Sequence, residues 1–358
     1  MINFLFEKTL SFKRQRFFMR YILLALIFFS CSKKKDEISD LNFEKDSAFV
    51  INGGDNSISI IDTKSFDQKG RYYFKNAGNS FAHHIYISKD FSRLSVAFPE
   101  YDFSNGHVGL HGALVKGNVG VLNLLDKSEK VFPISFTNHN VVFSNNQSEI
   151  WTSLVSHSGK IQVFDANTYA SIKEIVVGPD PTEVIFAKNG DLALVACGET
   201  SFLTVIDTKK KAIIKEIKVD PFPTNVWPGW DESTVFVENA NAKTLNIVNL
   251  NDFKVIDFID FDFIPGFSKF NTSTNELWIC APKSDKVYIY QQLQTEWIKK
   301  GEILTDVEPH QLTFLKDGKT AIVVNQKGNS VQVVDVVSKK IIKKIDVGLK
   351  PNGIAIWE

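Results

Sequence analysis

The chain has 358 residues, and its 41 lysines and arginines are balanced by 41 aspartates and glutamates, for a formal net charge of zero. Apart from a basic stretch at the N-terminus it carries no basic block, so the electrostatic footprint of a nucleic-acid binder is missing and no nucleic-acid partner is expected. Its three cysteines, Cys31, Cys197 and Cys280, lack CxxC spacing, which excludes a zinc knuckle and a c-type haem attachment.

From the N-terminus, Lys8, Lys13, Arg14, Arg16 and Arg20 lead into the apolar run "YILLALIFF" and then Ser30 and Cys31. The run is about half of what a membrane-spanning helix needs. A charged region, a short apolar core and a small residue before a cysteine read as a secretory signal over residues 1–30. With Cys31 at its end, the segment resembles a bacterial lipoprotein signal. That resemblance implies cleavage before Cys31, a palmitate-bearing lipid on Cys31 and membrane attachment through it. Ser32 in place of aspartate implies sorting to the outer membrane. Residues 31–45, opening with the polar "CSKKKDEISD", are expected to form a tether that cannot bury a core. Residues 1–30 hold five basic groups and one acid, so their removal leaves a net charge of −4. Both methionines, Met1 and Met19, lie in this segment, which leaves the remainder without thioether metal ligands.

After residue 45 the chain repeats. The segments "DPTEVIF", "FPTNVWP", "IPGFSKF", "EPHQLTF" and "KPNGIAI" carry Pro181, Pro223, Pro265, Pro309 and Pro351, spaced 42, 42, 44 and 42 residues apart. "FAHHIYI" and "TNHNVVF" are two further copies, with Ala82 and Asn138 at the proline position. Each copy continues into alternating runs such as "DLALVAC", "LTVID" and "KAIIKEIKV", separated by Gly, Asn, Asp and Lys turns. Period-two alternation over short runs argues for half-buried antiparallel strands. Four strands in about 42 residues is the signature of a propeller blade. The first copy begins mid-blade at "SAFVING", and its missing strand is found at the C-terminus as "PNGIAIW". The expectation is an all-β, seven-bladed β-propeller over residues 46–358, closed by the C-terminal strand, with an insertion at 99–118 in blade two.

The segments "AFVINGGDNSISIIDT", "ALVACGETSFLTVIDT" and "AIVVNQKGNSVQVVDV" resemble the YVTN-type propeller repeat. The resemblance covers residues 46–358 and implies the fold. It leaves function open, because such propellers serve as lactonases, tetrapyrrole-binding domains and surface modules.

Only seven histidines are present, and all map to one face of the expected ring. With the strands of each blade lettered A to D from channel to rim, His83, His139 and His310 take the first position after the proline site in strand A. His84, Asn140, Glu183, Asn225 and Gln311 take the second. His107 and His111 lie in the blade-two insertion, which can fold over the channel mouth. Strict alternation predicts that one of the two sets points into the channel. Three possibilities stay open. His83, His107, His111, His139 and His310 can ligate a metal, with Glu183 and Glu308 as carboxylate partners. Zn, Cu, Ni or Fe suit imidazole without thiolate. Alternatively His84, Asn140, Glu183, Asn225 and Gln311 hold an organic ligand, a peptide or a tetrapyrrole. In the third, the histidines simply cap strand starts.

No G-x-S-x-G, P-loop or H-E-x-x-H motif is present. A lactonase-like hydrolase would need a metal or a His/acid pair, with Glu183, Glu199 or Glu238 on the right face. Nothing singles out a general base, so the sequence favours a binding module. A surface adhesin acting through the broad faces is a further alternative, with Trp227 and Trp230 as a possible contact patch.

Overall fold

The computed structural model describes residues 41–106, 110 and 114–358. Residues 1–40, which include the segment read as a signal and Cys31, lie outside the described residues, as do His107 and His111. Residues 41–358 form seven sheets of four antiparallel strands each. Six sheets follow chain order, and the seventh combines Pro351–Trp357 with Ser47–Asn52, Ser57–Asp62 and Gln68–Tyr73. The C-terminal strand therefore closes the ring, which removes two edges that could pair with another chain.

The A strands run from His83–Ile87 in blade two, through Val141–Phe143, Pro181–Ala187, Asn225–Pro228, Ser268–Asn271 and Pro309–Phe314, to Pro351–Trp357 in blade one. Each touches the A strands of both adjacent blades, so together they line the central channel. The D strands form the rim; Ser171–Val176 and Ala212–Lys218 are mostly exposed and rich in charge. Between the blades, alternate residues of the inner strands interlock. Trp151 and Trp278 are fully buried there, and each donates its indole N–H to a glutamate two residues earlier, Glu149 and Glu276. The polar edge of each ring is satisfied while its body fills the core.

One local irregularity shapes the channel mouth. In blades one, two, four and seven the first residues of strand A carry an extra residue relative to strand B. In blade two the extra residue is His84, between His83 opposite Ala97 and Ile85 opposite Val96. Its φ is +45°, left-handed backbone that a bulge imposes on an ordinary residue. The amide of Asn352 holds the bulge, taking the His84 N–H at 3.1 Å and donating to the Ala82 carbonyl at 2.8 Å. A bulge breaks period-two alternation, so consecutive residues need not face opposite ways. Both histidine positions consequently converge, where strict alternation admits only one.

Candidate metal centre

Glu183, on strand A of blade four, is the anchor of the site and is wholly buried. Nδ1 of His139 donates to its Oε1 at 2.8 Å. Nδ1 of His84 stands 2.7 Å from the same oxygen, close enough for charge attraction but out of line for a hydrogen bond. The Tyr86 hydroxyl donates to Oε2 at 3.2 Å. Burial alone would raise this carboxyl, but His84 and His139 outweigh it and hold the group at about 2. Glu183 is therefore a fixed negative charge behind two imidazoles.

His83 completes the cluster. Its ring stacks on His84 with centroids 4.2 Å apart and lies 4.2 Å from the ring of His139. One ligand nitrogen from each of His83, His84 and His139 can be chosen so that all three lie within 4.8 Å of one another. Nδ1 of His83 is 3.1 Å from the His139 carbonyl oxygen. A carbonyl can only accept, so Nδ1 carries the proton. Burial, followed by the neighbouring His139, His84 and His310, drives His83 well below the usual imidazole range and keeps it neutral. The lone pair of a neutral ring protonated at Nδ1 sits on Nε2. That Nε2 is buried and has no hydrogen-bond partner. A buried acceptor left unsatisfied is costly, and a cation would satisfy it.

His310 is half-buried beside the triad, its ring 5.8 Å from those of His83 and His84. Burial lowers it to about 3, with His84 and His139 adding to the effect. Phe103, from the single turn Phe103–Asn105 in the blade-two insertion, packs against His83 and His139 at 5.3 and 5.0 Å. Lys350 ties this turn down through the carboxylate of Asp102. The described part of the insertion thus covers the histidines.

The remaining second-position residues serve other ends. Asn140 pairs its amide with the backbone of Val184, donating at 2.8 Å and accepting at 3.2 Å, which bolts blade three to blade four. Gln311 accepts from the Ile354 amide at 2.7 Å. Asn225 and Trp227 each donate to Oε2 of Glu238 at 3.1 Å, yet burial still raises Glu238 to about 7. Glu308 is 2.6 Å from Lys327, and Glu199 is 2.8 Å from the exposed His157, away from the triad. Cys197 and Cys280 are buried free thiols. Trp227 is buried against Phe267 inside the channel, so it offers no outward contact patch. Tyr86 and Phe103 escaped the sequence reading. Tyr86 lies two positions beyond His84 on an inward-facing strand, which is a signal of its placement; Phe103 has none.

No family model matches the chain, and no curated protein matches it. Solved structures do. A putative 6-phosphogluconolactonase from Bacteroides fragilis aligns over 87% of this chain and 98% of its own, with TM-score 0.67 and 15% identity. The periplasmic gluconolactonase PpgL of Pseudomonas aeruginosa aligns over 86% and 98%, with TM-score 0.66 and 11% identity. Dihydro-heme d1 dehydrogenase NirN, solved in complex with DHE, aligns over 87% and 76%, with TM-score 0.60 and 17% identity. At these identities the likeness is one of fold.

Proposed function

We propose that this chain is a YVTN-type binding propeller, anchored to the outer membrane through a lipid on Cys31, whose channel mouth holds a divalent transition-metal ion on His83, His84 and His139. The observation that carries the metal assignment is the bare, buried Nε2 of His83 amid two further imidazoles. Glu183 supports it: a carboxylate behind ligating histidines fixes their rings and raises their basicity. An all-nitrogen donor set without thiolate or thioether suits zinc, copper(II), nickel or iron(II). Titration of the metal-stripped protein with zinc, followed by calorimetry, tests this. One site of micromolar or tighter affinity is expected, abolished in His83→Ala; wild-type protein that takes up neither zinc, copper, nickel nor iron would refute it.

A hydrolytic role is the second reading. A metal ion held by His83, His84 and His139 would supply Lewis-acid chemistry for activating water or polarising a carbonyl. Two fold neighbours carry lactonase names, which makes gluconolactone the first substrate to try. Hydrolysis that depends on both the metal and His83 would support this reading, and metal-loaded protein without such activity would leave the binding role alone.

A further inference from the structure

Beyond the histidine layer the A strands enclose a second space, a cavity of about 330 Å³. Its walls come from fourth-position residues, two steps along each strand from the histidine layer, and from their neighbours. Val142, Ile185, Phe186, Trp227 and Phe267 supply an apolar lining. Lys269, on strand A of blade six, lines the same cavity. Among the described residues no carboxylate lies within ion-pair reach of it, whereas rim lysines such as Lys69, Lys299 and Lys343 each have one. Burial lowers its pKa, with no charged neighbour contributing. Tyr86 and Thr313 add hydroxyls to the wall.

An ammonium among apolar side chains without a counter-ion is unfavourable unless something supplies one. Concave, mostly apolar spaces of this size with a few convergent polar groups are where small organic ligands bind. At roughly 30 Å³ per water molecule, the cavity holds the volume of about ten waters. A molecule of similar size with one apolar end fits.

We propose that the channel behind the histidines is a binding site for a small organic acid, its carboxylate paired with Lys269 and its apolar body against Trp227 and Phe267. The site adjoins the metal cluster, since Tyr86 of its wall bonds Glu183 and Trp227 lies 6.4 Å from the His84 ring, but its carboxylate partner is Lys269 rather than a metal ion. Trp227 also supplies an intrinsic fluorophore in the wall.

The test uses 3-phenylpropionate and its neutral isostere 3-phenylpropanamide, titrated calorimetrically into the wild-type protein and into Lys269→Met and His83→Ala variants. The acid is expected to bind the wild type at least tenfold more tightly than the amide. Lys269→Met should erase that preference while keeping weak affinity for both. His83→Ala should bind the acid as the wild type does. Equal affinity for acid and amide, or no binding of either, in the wild type overturns the proposal, and needs no variant to fold. Loss of the acid in His83→Ala with retention in Lys269→Met also overturns it, because the metal site would then be holding the carboxylate. A thermal melt of each variant separates lost binding from lost fold.

Discussion

Glu183 and His139, 44 residues apart and on adjacent blades, meet with Nδ1 of the imidazole 2.8 Å from Oε1 of the carboxylate, inside the buried channel mouth. The contact ties two blades together and sets the tautomer of one imidazole. It also places a permanent negative charge immediately behind the triad.

Replacement of Glu183 by glutamine keeps the shape and removes the charge. Supporting carboxylates of this kind are worth roughly 10- to 100-fold in metal affinity, and a loss in that range is expected. Zinc titration of Glu183→Gln checks it, with folding verified by circular dichroism. Unchanged affinity would show that the carboxylate serves the fold alone.

Gly353 occupies the second position of strand A in blade one, where other blades carry a side chain. A Cβ there would lie 2.9 Å from the His84 Cα and 3.0 Å from the Ile85 amide nitrogen. The bulged backbone of blade two has no room to retreat, since Asn352 holds it. Gly353→Ala is expected to cost about 1–3 kcal/mol of stability by overpacking and to weaken zinc binding by displacing His84. Urea unfolding of wild type and variant measures the first effect, and zinc titration the second.

Glu238 gives the fold a pH dependence of definite sign. Its folded value of about 7 lies above the ordinary 4.5, so between these values the folded protein binds more protons than the unfolded chain. This contribution to stability is complete below pH 4.5 and is lost as pH rises through 7. Glu238→Gln, which keeps the bonds to Asn225 and Trp227 within reach and cannot ionise, is expected to be more stable than the wild type at pH 8. The advantage should be of the order of 3 kcal/mol, by the usual 1.36 kcal/mol per unit, and should vanish near pH 4. Urea unfolding at the two pH values decides; a variant less stable at pH 8 contradicts it.

The anchor is testable independently of the propeller. In a bacterial host the wild-type chain should incorporate labelled palmitate and sediment with membranes, and Cys31→Ser should do neither. Wild-type chain recovered wholly in the soluble fraction, without label, would remove the lipid anchor from the account.

The fold was legible because it rests on periodic features. Prolines 42 to 44 residues apart and period-two strands act locally and repeat several times, and the strand missing from the first copy stands plainly at the C-terminus. The site was legible only in part. His83, His84, His139 and Glu183 were recognisable by their places in the repeat, at the start of strand A or, for His139, two residues before it, since position in a repeat maps to position in the channel. Their mutual geometry was not, because the bulge at His84 depends on Asn352, 268 residues away and on another blade. Asn140 shows the same limit from the other side. Its place suggests a ligand contact, but its amide is spent on the backbone of Val184, a pairing visible only once blades three and four are side by side. Lys269, in Ser268–Asn271, reads as an ordinary strand lysine, and its isolation from any carboxylate is a property of the assembled channel.

The most direct test of the metal assignment is the metal content of the protein as purified, without a histidine tag, beside a His83→Ala/His139→Ala variant prepared in parallel. Elemental analysis should find close to one equivalent of zinc, copper, nickel or iron in the wild type and little in the variant. A folded wild type that contains no metal, and takes none up when offered these ions, would contradict the account.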